Sequence, residues 1–234
     1  MTNQLNNRQS QCVILLHGLA RTHFSMRRME RFLKSSGYCV YNIYYPSRNL
    51  PVDELAPLAI GQGLELCSHN NVEQIHFVTH SLGGILVRQY LQTHVIEKLG
   101  RVVMLGPPNH GSEIADFMQR LPGYRFINGP AGFQLGTQKT DLPKTLGPVN
   151  FELGVIAGKR SLNLLFSTLL PGDDDGKVSV ESTKIKGMRD FITLPISHTF
   201  MMQDYETLSQ TLHFLDHGCF DHSRLKVSRI DEPE

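Results

Sequence analysis

A serine at position 81 stands where a run of strand character meets a run of helical periodicity. The segment is Thr79-His80-Ser81-Leu82-Gly83-Gly84. In such a strand-to-helix turn the backbone is strained and the serine hydroxyl stands clear of the sheet, as a nucleophile requires. Strand and helix nearly touch there, so Gly83 suits the turn, whereas Thr79 replaces the glycine of the usual G-x-S-x-G pattern. The segment predicts a nucleophilic Ser81, and the alternative is a serine that only caps the helix.

A second segment, His17-Gly18-Leu19, follows the first apolar run of the chain. A backbone amide in this position joins the amide of Leu82 to form an oxyanion hole, which stabilises the negative oxygen of a tetrahedral intermediate. Taken alone, the segment is more typical of a turn with a buried histidine. It gains weight only because Ser81 is present.

The partners of a nucleophilic serine are expected in loops after later strands, in the chain order serine, acid, histidine. The loop Pro171–Val178 carries three consecutive aspartates, and His198 follows the last strand-like run. Asp175 is the predicted acid because Gly176 lets the chain turn beside its carboxylate and Val178 starts the next apolar stretch. Asp173 and Asp174 are interpreted as solvated loop charges. Asp190 and Glu181 are the next candidates for the acid.

Regular alternation of strand and helix must position these residues. Strand-like runs at Cys12–Leu16, Tyr38–Tyr44, Gln74–Thr79 and Arg101–Leu105 alternate with helical periodicity at 24–34, Asp53–Ser68 and Leu82–Val95. This order predicts parallel strands joined by right-handed crossovers. Further strands are predicted at Phe151–Ala157 and Phe191–Pro195, a closing helix at Asp204–Phe214, and a loose polar tail from Gly218.

A long segment from Gly106 to Pro148 interrupts the alternation. It is rich in glycine and proline, with only short helical stretches such as Ser112–Arg120. Insertions of this length usually serve as lids or binding loops. We expect a mobile cap over Ser81, at about residues 106–170, built from this segment and part of Ser161–Leu170. Its apolar residues include Phe117, Phe126, Phe133 and Leu135.

Composition narrows the class of protein. The 234 residues are 40% hydrophobic and 19% charged, with a net charge of +1, which predicts a single domain over 1–234 and argues against nucleic-acid binding. The polar N-terminus lacks the apolar region of a signal peptide, and no early apolar run reaches the roughly 20 residues of a transmembrane helix. A cytoplasmic location and reduced cysteines are therefore expected, while the oligomeric state stays open.

Metal binding is weighed at two kinds of residue. The aspartates 173–175 invite calcium, but no EF-hand pattern surrounds them, and the histidines show no zinc spacing. We therefore predict no metal site. Arg21, Arg27, Arg28 and Arg31 form a local basic face, which is interpreted as solvated. Admission of anionic substrates is the alternative for this face.

These segments together resemble the α/β-hydrolases of the compact bacterial lipase and esterase kind. The resemblance rests on V-I-L-L-H-G-L, T-H-S-L-G-G, V-V-M-L-G-P-P-N-H-G-S, D-G-K-V-S-V-E-S and the final S-H, over roughly residues 12 to 215. It implies an α/β fold of three layers with a mainly parallel central sheet and a small cap insertion. It also implies Ser81 as nucleophile, Asp175 as acid, His198 as base, and the amides of Leu19 and Leu82 as oxyanion donors.

The resemblance further implies hydrolysis of a small-molecule or lipid-like carboxylic ester, without a cofactor. Thioester hydrolysis or acyl transfer by the same triad remains open, because fold and motifs do not separate these reactions. A protein that only binds a ligand is the alternative outside enzymes. The full triad in order argues against that alternative, since a binder does not need all three residues.

Overall fold

The computed structural model describes residues 8–161, 170 and 172–227. Its strands are β1 (Gln11–Leu16), β2 (Cys39–Ile43), β3 (Gln74–His80), β4 (Leu99–Leu105), β5 (Leu153–Gly158) and β6 (Asp190–Leu194). They form one sheet in the order β2-β1-β3-β4-β5-β6, and every neighbouring pair is parallel. The predicted α/β fold with a parallel central sheet is confirmed.

Helices cover both faces of this sheet. They are α1 (Arg27–Ser35), α2 (Val52–Ser68), α3 (Leu82–Leu91), α4 (Glu113–Gln119), α5 (Tyr124–Phe133), α6 (Leu142–Thr145), α7 (Val180–Thr183), α8 (Tyr205–His217) and α9 (His222–Val227). Short 3₁₀ helices lie at His23–Met26 and Met201–Gln203. The predicted helix over 24–34 therefore begins as a 3₁₀ turn and becomes α-helical only at Arg27.

The continuous apolar run of β1 is explained by burial on both of its faces. Ile14 and Leu16 belong to one hydrophobic cluster, which includes residues of α2 and α3. Val13 and Leu15 belong to the other, which includes residues of α1 and α8. Strands buried on both faces lose the alternation of apolar and polar residues that marks a half-exposed strand. The sequence order of strands and helices therefore specifies a three-layer domain.

The segment after β4 is more helical than its glycine and proline content predicted, since it contains α4, α5 and α6. Ser112 caps α4 by accepting a hydrogen bond from the Ala115 amide at 3.2 Å. Helix α5 is kinked at Gly129, where φ is 61° and ψ is −169°. A Cβ atom at Gly129 would lie 1.6 Å from the carbonyl oxygen of Arg48, so only glycine fits this approach of α5 to the loop after β2.

Arg88 joins helix α3 to the segment after β4 near Asn109 and α6. Its guanidinium is buried and donates hydrogen bonds to the Asn109 carbonyl and side chain, the Pro143 carbonyl and the Gly147 carbonyl, at 2.9 to 3.2 Å. These bonds stabilise the buried charge through both terminal nitrogens, while Nε of Arg88 has no partner among the described residues. The segment is therefore attached firmly at α6, while α4 and α5 expose apolar side chains such as Phe126.

The segment after Gly218 is more ordered than the sequence predicted. The predicted loose tail contains helix α9, and Phe220 is buried against Phe214, with 4.9 Å between the ring centroids. Within the described ranges, no helix combines the length and the apolar character that crossing a membrane requires.

Candidate active site

Ser81 lies at the turn from β3 into α3 with a backbone that is unusual for a non-glycine residue. Its φ is 51° and its ψ is −116°. Such conformations cost about 1–3 kcal/mol and persist where the surrounding structure enforces them. Here the Ser81 amide donates to the Leu105 carbonyl at 2.9 Å, and the Ser81 carbonyl accepts from the Gly84 amide at 3.0 Å. The Ser81 side chain makes no cap hydrogen bond to α3, so the capping alternative is wrong.

The residues two positions from Ser81 behave differently. A Cβ atom at Gly83 would lie 2.8 Å from the carbonyl oxygen of Leu16, so the strand-to-helix turn at Ser81, called the elbow below, needs glycine here, as the sequence predicted. Thr79 is fully buried within β3, and its hydroxyl lacks a hydrogen-bond partner among the described residues. The strand therefore accommodates threonine in the glycine position at the expense of an unpaired polar group.

Asp175 and His198 are in direct contact. The Nδ1 atom of His198 lies 2.7 Å from Oδ2 of Asp175, and both residues are buried. Oδ1 of Asp175 accepts hydrogen bonds from the amides of Lys177 at 3.0 Å and Val178 at 2.9 Å. The His198 amide also donates to the Asp175 carbonyl at 2.9 Å. These bonds fix the carboxylate, and a proton on Nδ1 of His198 leaves Nε2 free to accept another.

The neighbouring carboxylates have other partners. Asp174 is buried and its Oδ1 accepts from the Gly176 amide at 2.7 Å, so its interpretation as a solvated loop charge is wrong, whereas Asp173 is exposed. The backbone of Asp174 also forms an isolated β-bridge with Ser179. The fallback acids contact other residues: Asp190 binds His222 and the Phe220 amide, and Glu181 pairs with Lys184.

The loop after β1 packs against the elbow. A Cβ atom at Gly18 would lie 3.3 Å from the Cβ atom of Ser81. Among the described residues, the amides of Leu19 and Leu82 have no acceptor, which leaves both available to a ligand. The turn is held by the amide of Ala20, which donates to Ser47 at 3.2 Å while Ala20 itself has a φ of 54°. The Leu82 amide is also the first of α3 and lies at the positive N-terminal end of that helix.

Comparison of the whole chain with known proteins gives the fold. No protein-family model matches the sequence, and no curated protein gives a significant match. Lipase BlEst2 of Bacillus licheniformis in mature form superimposes with a TM-score of 0.70 at 16% identity, over 87% of this chain and 91% of that one. Lipase B of Aspergillus fumigatus has a TM-score of 0.70 at 16% identity, over 94% and 56%. Phospholipase PlaB of Legionella pneumophila superimposes with a TM-score of 0.61 at 19% identity, over 74% of this chain and 45% of that one. This chain therefore spans less than half of PlaB.

The chain adopts the α/β-hydrolase fold. In open α/β sheets, ligands bind beyond the carboxyl ends of the strands, where the strand order reverses. The reversal falls between β1, which continues to β2 on one side, and β3 on the other. Leu19 and Ser81 follow the carboxyl ends of β1 and β3, so the candidate site occupies the position that this topology favours.

A cavity of about 350 Å³ lies at this position, and both Ser81 and His198 line it. Most of its wall is apolar. Besides Leu19, the apolar lining includes Ile114, Met118, Tyr124, Ile127 and Leu135 from the segment after β4. The predicted cap segment therefore supplies one wall of the cavity next to the serine.

Two residues that sequence reasoning did not assign lie against the Asp175–His198 pair. Gly106 follows β4 with a φ of 53°, and its Cβ atom would lie 3.0 Å from both Asp175 Oδ2 and His198 Nδ1. His80 is buried, and its Nε2 lies 3.0 Å from the His198 carbonyl oxygen, to which it donates because a carbonyl only accepts. Burial lowers the pKa of His80 well below its ordinary value, so this ring is neutral. The only feature of the sequence that could have pointed to His80 is its place next to Ser81.

His17 is a buried histidine at a turn, as is typical of its segment taken alone. Its ring is buried, stacked on Tyr45 at 4.0 Å between centroids, and burial lowers its pKa to about 4. Its side chain therefore belongs to the core, whereas the residues that follow it, Leu19, Ala20 and Arg21, line the cavity next to Ser81.

Metal ligands and disulfides were also predicted to be absent. Over 8–161, 170 and 172–227, no group of three or more His, Cys, Asp or Glu residues has the arrangement of a metal site. Cys12 and Cys67 are buried, Cys39 is half-buried and Cys219 is exposed, and each thiol is free.

Proposed function

We propose that the protein is a serine hydrolase that cleaves carboxylic esters through a covalent acyl-enzyme. The observation that carries the proposal is the meeting of a strained Ser81 and the Asp175–His198 pair at one apolar cavity. The names of the solved structures, which are lipases and a phospholipase, support the same chemistry. A cytoplasmic location stays a prediction from the sequence.

His198 acts as general base in the proposed reaction. Its Nε2 atom takes the proton of Ser81 while the serine oxygen attacks the ester carbonyl carbon. Asp175 keeps the proton on Nδ1 and stabilises the imidazolium that forms. His198 then gives its proton to the departing alcohol, and water repeats the attack on the acyl-enzyme to release the acid and regenerate Ser81.

The amides of Leu19 and Leu82 form the proposed oxyanion hole. Donors without an acceptor are already oriented before the reaction, so they stabilise the negative oxygen with little reorganisation. Removal of one such donor from a serine protease costs about 10²–10³ in turnover. Because both donors are backbone groups, no side-chain substitution removes them directly.

The substrate that suits this cavity has an apolar acyl part. Ile114, Met118 and Ile127 offer apolar surface next to Ser81, and burial of a methylene group against such surface contributes about 0.8 kcal/mol. We therefore expect a small or lipid-like ester, with the segment 106–148 acting as a mobile cap. The part of Ser161–Leu170 assigned to the cap falls at 162–169 outside the described residues.

Hydrolysis of 4-nitrophenyl esters of graded acyl length by wild type and Ser81→Ala tests the proposal. Wild type should turn these esters over, and Ser81→Ala should fold but lose turnover. Parallel assays with thioesters of the same acyl groups address the thioesterase alternative, which gains support if thioesters have the higher kcat/KM. Equal ester turnover by the two proteins would contradict the proposal.

A further inference from the structure

Two positive side chains line the cavity next to the candidate serine. Arg21 lies on the loop after β1, and Lys177 lies in the loop that carries Asp175. Among the described residues, no acidic side chain lines this cavity. Neither the Arg21 guanidinium nor the Lys177 ammonium makes a hydrogen bond or ion pair with any residue that the structure describes.

These two charges act on each other and on the catalytic face. Desolvation by the surrounding protein lowers the pKa of Lys177, and the positive charge of Arg21 lowers it further. Positive charge on both residues also contributes to the lowered pKa of His80. Asp175 opposes the effect on Lys177, but its oxygens already accept hydrogen bonds from His198 and from two amides. Two like charges thus share one cavity without a dedicated counter-ion.

The other arginines of the basic face lie outside the cavity. Arg27, Arg28 and Arg31 are exposed on α1, where Arg27 stacks over the Phe24 ring at 4.0 Å. Arg31 donates to the Arg27 carbonyl at 3.4 Å. The face that the sequence groups together is therefore divided: three arginines are solvated helix residues, and Arg21 alone of the four borders the site.

We propose that Arg21 and Lys177 form an anion subsite, so that the preferred ester carries a phosphate or carboxylate next to the reacting carbonyl. The inference rests on the proposed ester hydrolysis at Ser81 and names the substrate class for it. A negative group brought between the two cations relieves their mutual repulsion and accepts charge-assisted hydrogen bonds from both. The apolar wall from α4 and α5 then receives the acyl chain.

Two matched pairs of soluble esters test the subsite, each with one anionic member. 1-Hexanoylglycerol 3-phosphate and 1-hexanoylglycerol differ by a headgroup phosphate, and they are assayed below the concentrations at which they aggregate. Mono-4-nitrophenyl glutarate and 4-nitrophenyl valerate differ by a carboxylate on the acyl side. The measured quantity is the ratio of kcat/KM for the anionic member to that for the neutral member.

The variants separate charge from shape. Arg21→Gln and Lys177→Gln should each lower the ratio about tenfold for at least one pair, because hydrogen bonds to charged groups are among the strong ones. Arg21→Lys and Lys177→Arg keep the charge and should keep most of the ratio. Arg28→Gln removes an exposed arginine of α1 and is the matched control, with an unchanged ratio. Raising the salt concentration should lower the wild-type ratio through screening.

The pair that shows the preference identifies the source of the anion, which is a lipid headgroup for the phosphate pair or the half-ester of a dicarboxylic acid for the glutarate pair. A wild-type ratio near one for both pairs would overturn the subsite, and so would an unchanged ratio in both Gln variants. If a Gln variant does not fold, a wild-type ratio that is insensitive to salt overturns it. Failure of the proposed hydrolysis looks different, because 4-nitrophenyl valerate would then not be turned over at all.

Discussion

Nδ1 of His198 lies 2.7 Å from one oxygen of Asp175, while the other oxygen is held by the two amides of Lys177 and Val178. Asp175→Asn keeps the shape of the side chain but offers an amide where His198 needs an acceptor. The wrong histidine tautomer then results, and in serine proteases the equivalent change costs about 10⁴ in turnover. We expect a loss of that order, measured as kcat on one neutral ester at pH 7.5.

The neighbouring aspartates provide the controls for this change. Asp173→Asn, at an exposed position, should change stability by less than about 0.5 kcal/mol and leave turnover near wild type. Asp174→Asn should lower stability by about 1 kcal/mol, because a neutral amide oxygen replaces the charged acceptor of the Gly176 amide. If Asp174→Asn loses turnover and Asp175→Asn keeps it, the acid is Asp174 and the assignment of Asp175 is wrong.

Gly106 offers a second test of the geometry. Gly106→Ala would place a methyl group 3.0 Å from both partner atoms of the Asp175–His198 contact. Displacement of catalytic groups by about 1 Å can cost 10²-fold in rate, so we expect about a 100-fold loss of kcat. Gly147→Ala is the matched control, because Gly147 has a φ of 65° but open space around its Cβ position. Both variants should lose about 1–2 kcal/mol of stability, because alanine is strained at a positive φ. An equal loss of turnover in both variants would refute the geometric explanation.

Much of the site follows from local sequence. The succession of strands and helices and the strand-to-helix turn at Ser81 were predictable, because each depends on residue types within a few positions. The positions of Gly106 and His80 were not, because their contacts with Asp175 and His198 join segments far apart in the chain. Asp174 was misinterpreted because aspartates in loops are mostly exposed, whereas Asp174 is buried and its Oδ1 accepts from the Gly176 amide.

The segment after β4 shows a second reason why local sequence patterns do not predict the structure fully. Glycine and proline predicted an irregular segment, yet Gly129 and Pro130 occur inside α5, at a kink where the chain meets the carbonyl of Arg48. Likewise, arginine is usually a surface residue, but the buried Arg88 guanidinium donates four hydrogen bonds to carbonyl oxygens. Tertiary contacts of this kind override composition and cannot be identified from one segment alone.

The stability of the protein should fall between pH 7.5 and pH 5 because of a buried histidine. Burial lowers the pKa of His76 to about 4, and Nδ1 of its ring accepts from the Arg101 amide at 2.8 Å. The unfolded chain, with a histidine pKa of about 6.5, takes up the proton first as the pH falls, so unfolding becomes easier. The loss due to His76 is about 2 kcal/mol at pH 5, and is absent above about pH 7.

Urea unfolding of wild type and His76→Gln at the two pH values measures this effect. The variant should be less stable at pH 7.5 but should lose less between pH 7.5 and pH 5. His69→Gln changes an exposed histidine and should keep the wild-type pH dependence. The explanation is wrong if His76→Gln and wild type lose the same free energy of unfolding over this range.

Mobility of the cap can be measured by hydrogen exchange. Amides of α4 and α5 should exchange much faster than those of β1 and β3, because these helices expose large apolar residues such as Phe126, which is 91% exposed. Amides of α6 should exchange more slowly than those of α5, since Arg88 holds the Pro143 and Gly147 carbonyls. Protection of α4 and α5 equal to that of the central strands would exclude a mobile cap.

The most direct measurement of the central claim is the site at which a fluorophosphonate reacts. Such a probe phosphonylates a serine only where a base and an oxyanion hole activate it. Peptide mass spectrometry should find one phosphonyl group per chain on Ser81, with strongly reduced labelling in His198→Gln and none in Ser81→Ala. Labelling of a different serine, or no labelling of folded wild-type protein, would contradict the assignment of Ser81 as the nucleophile.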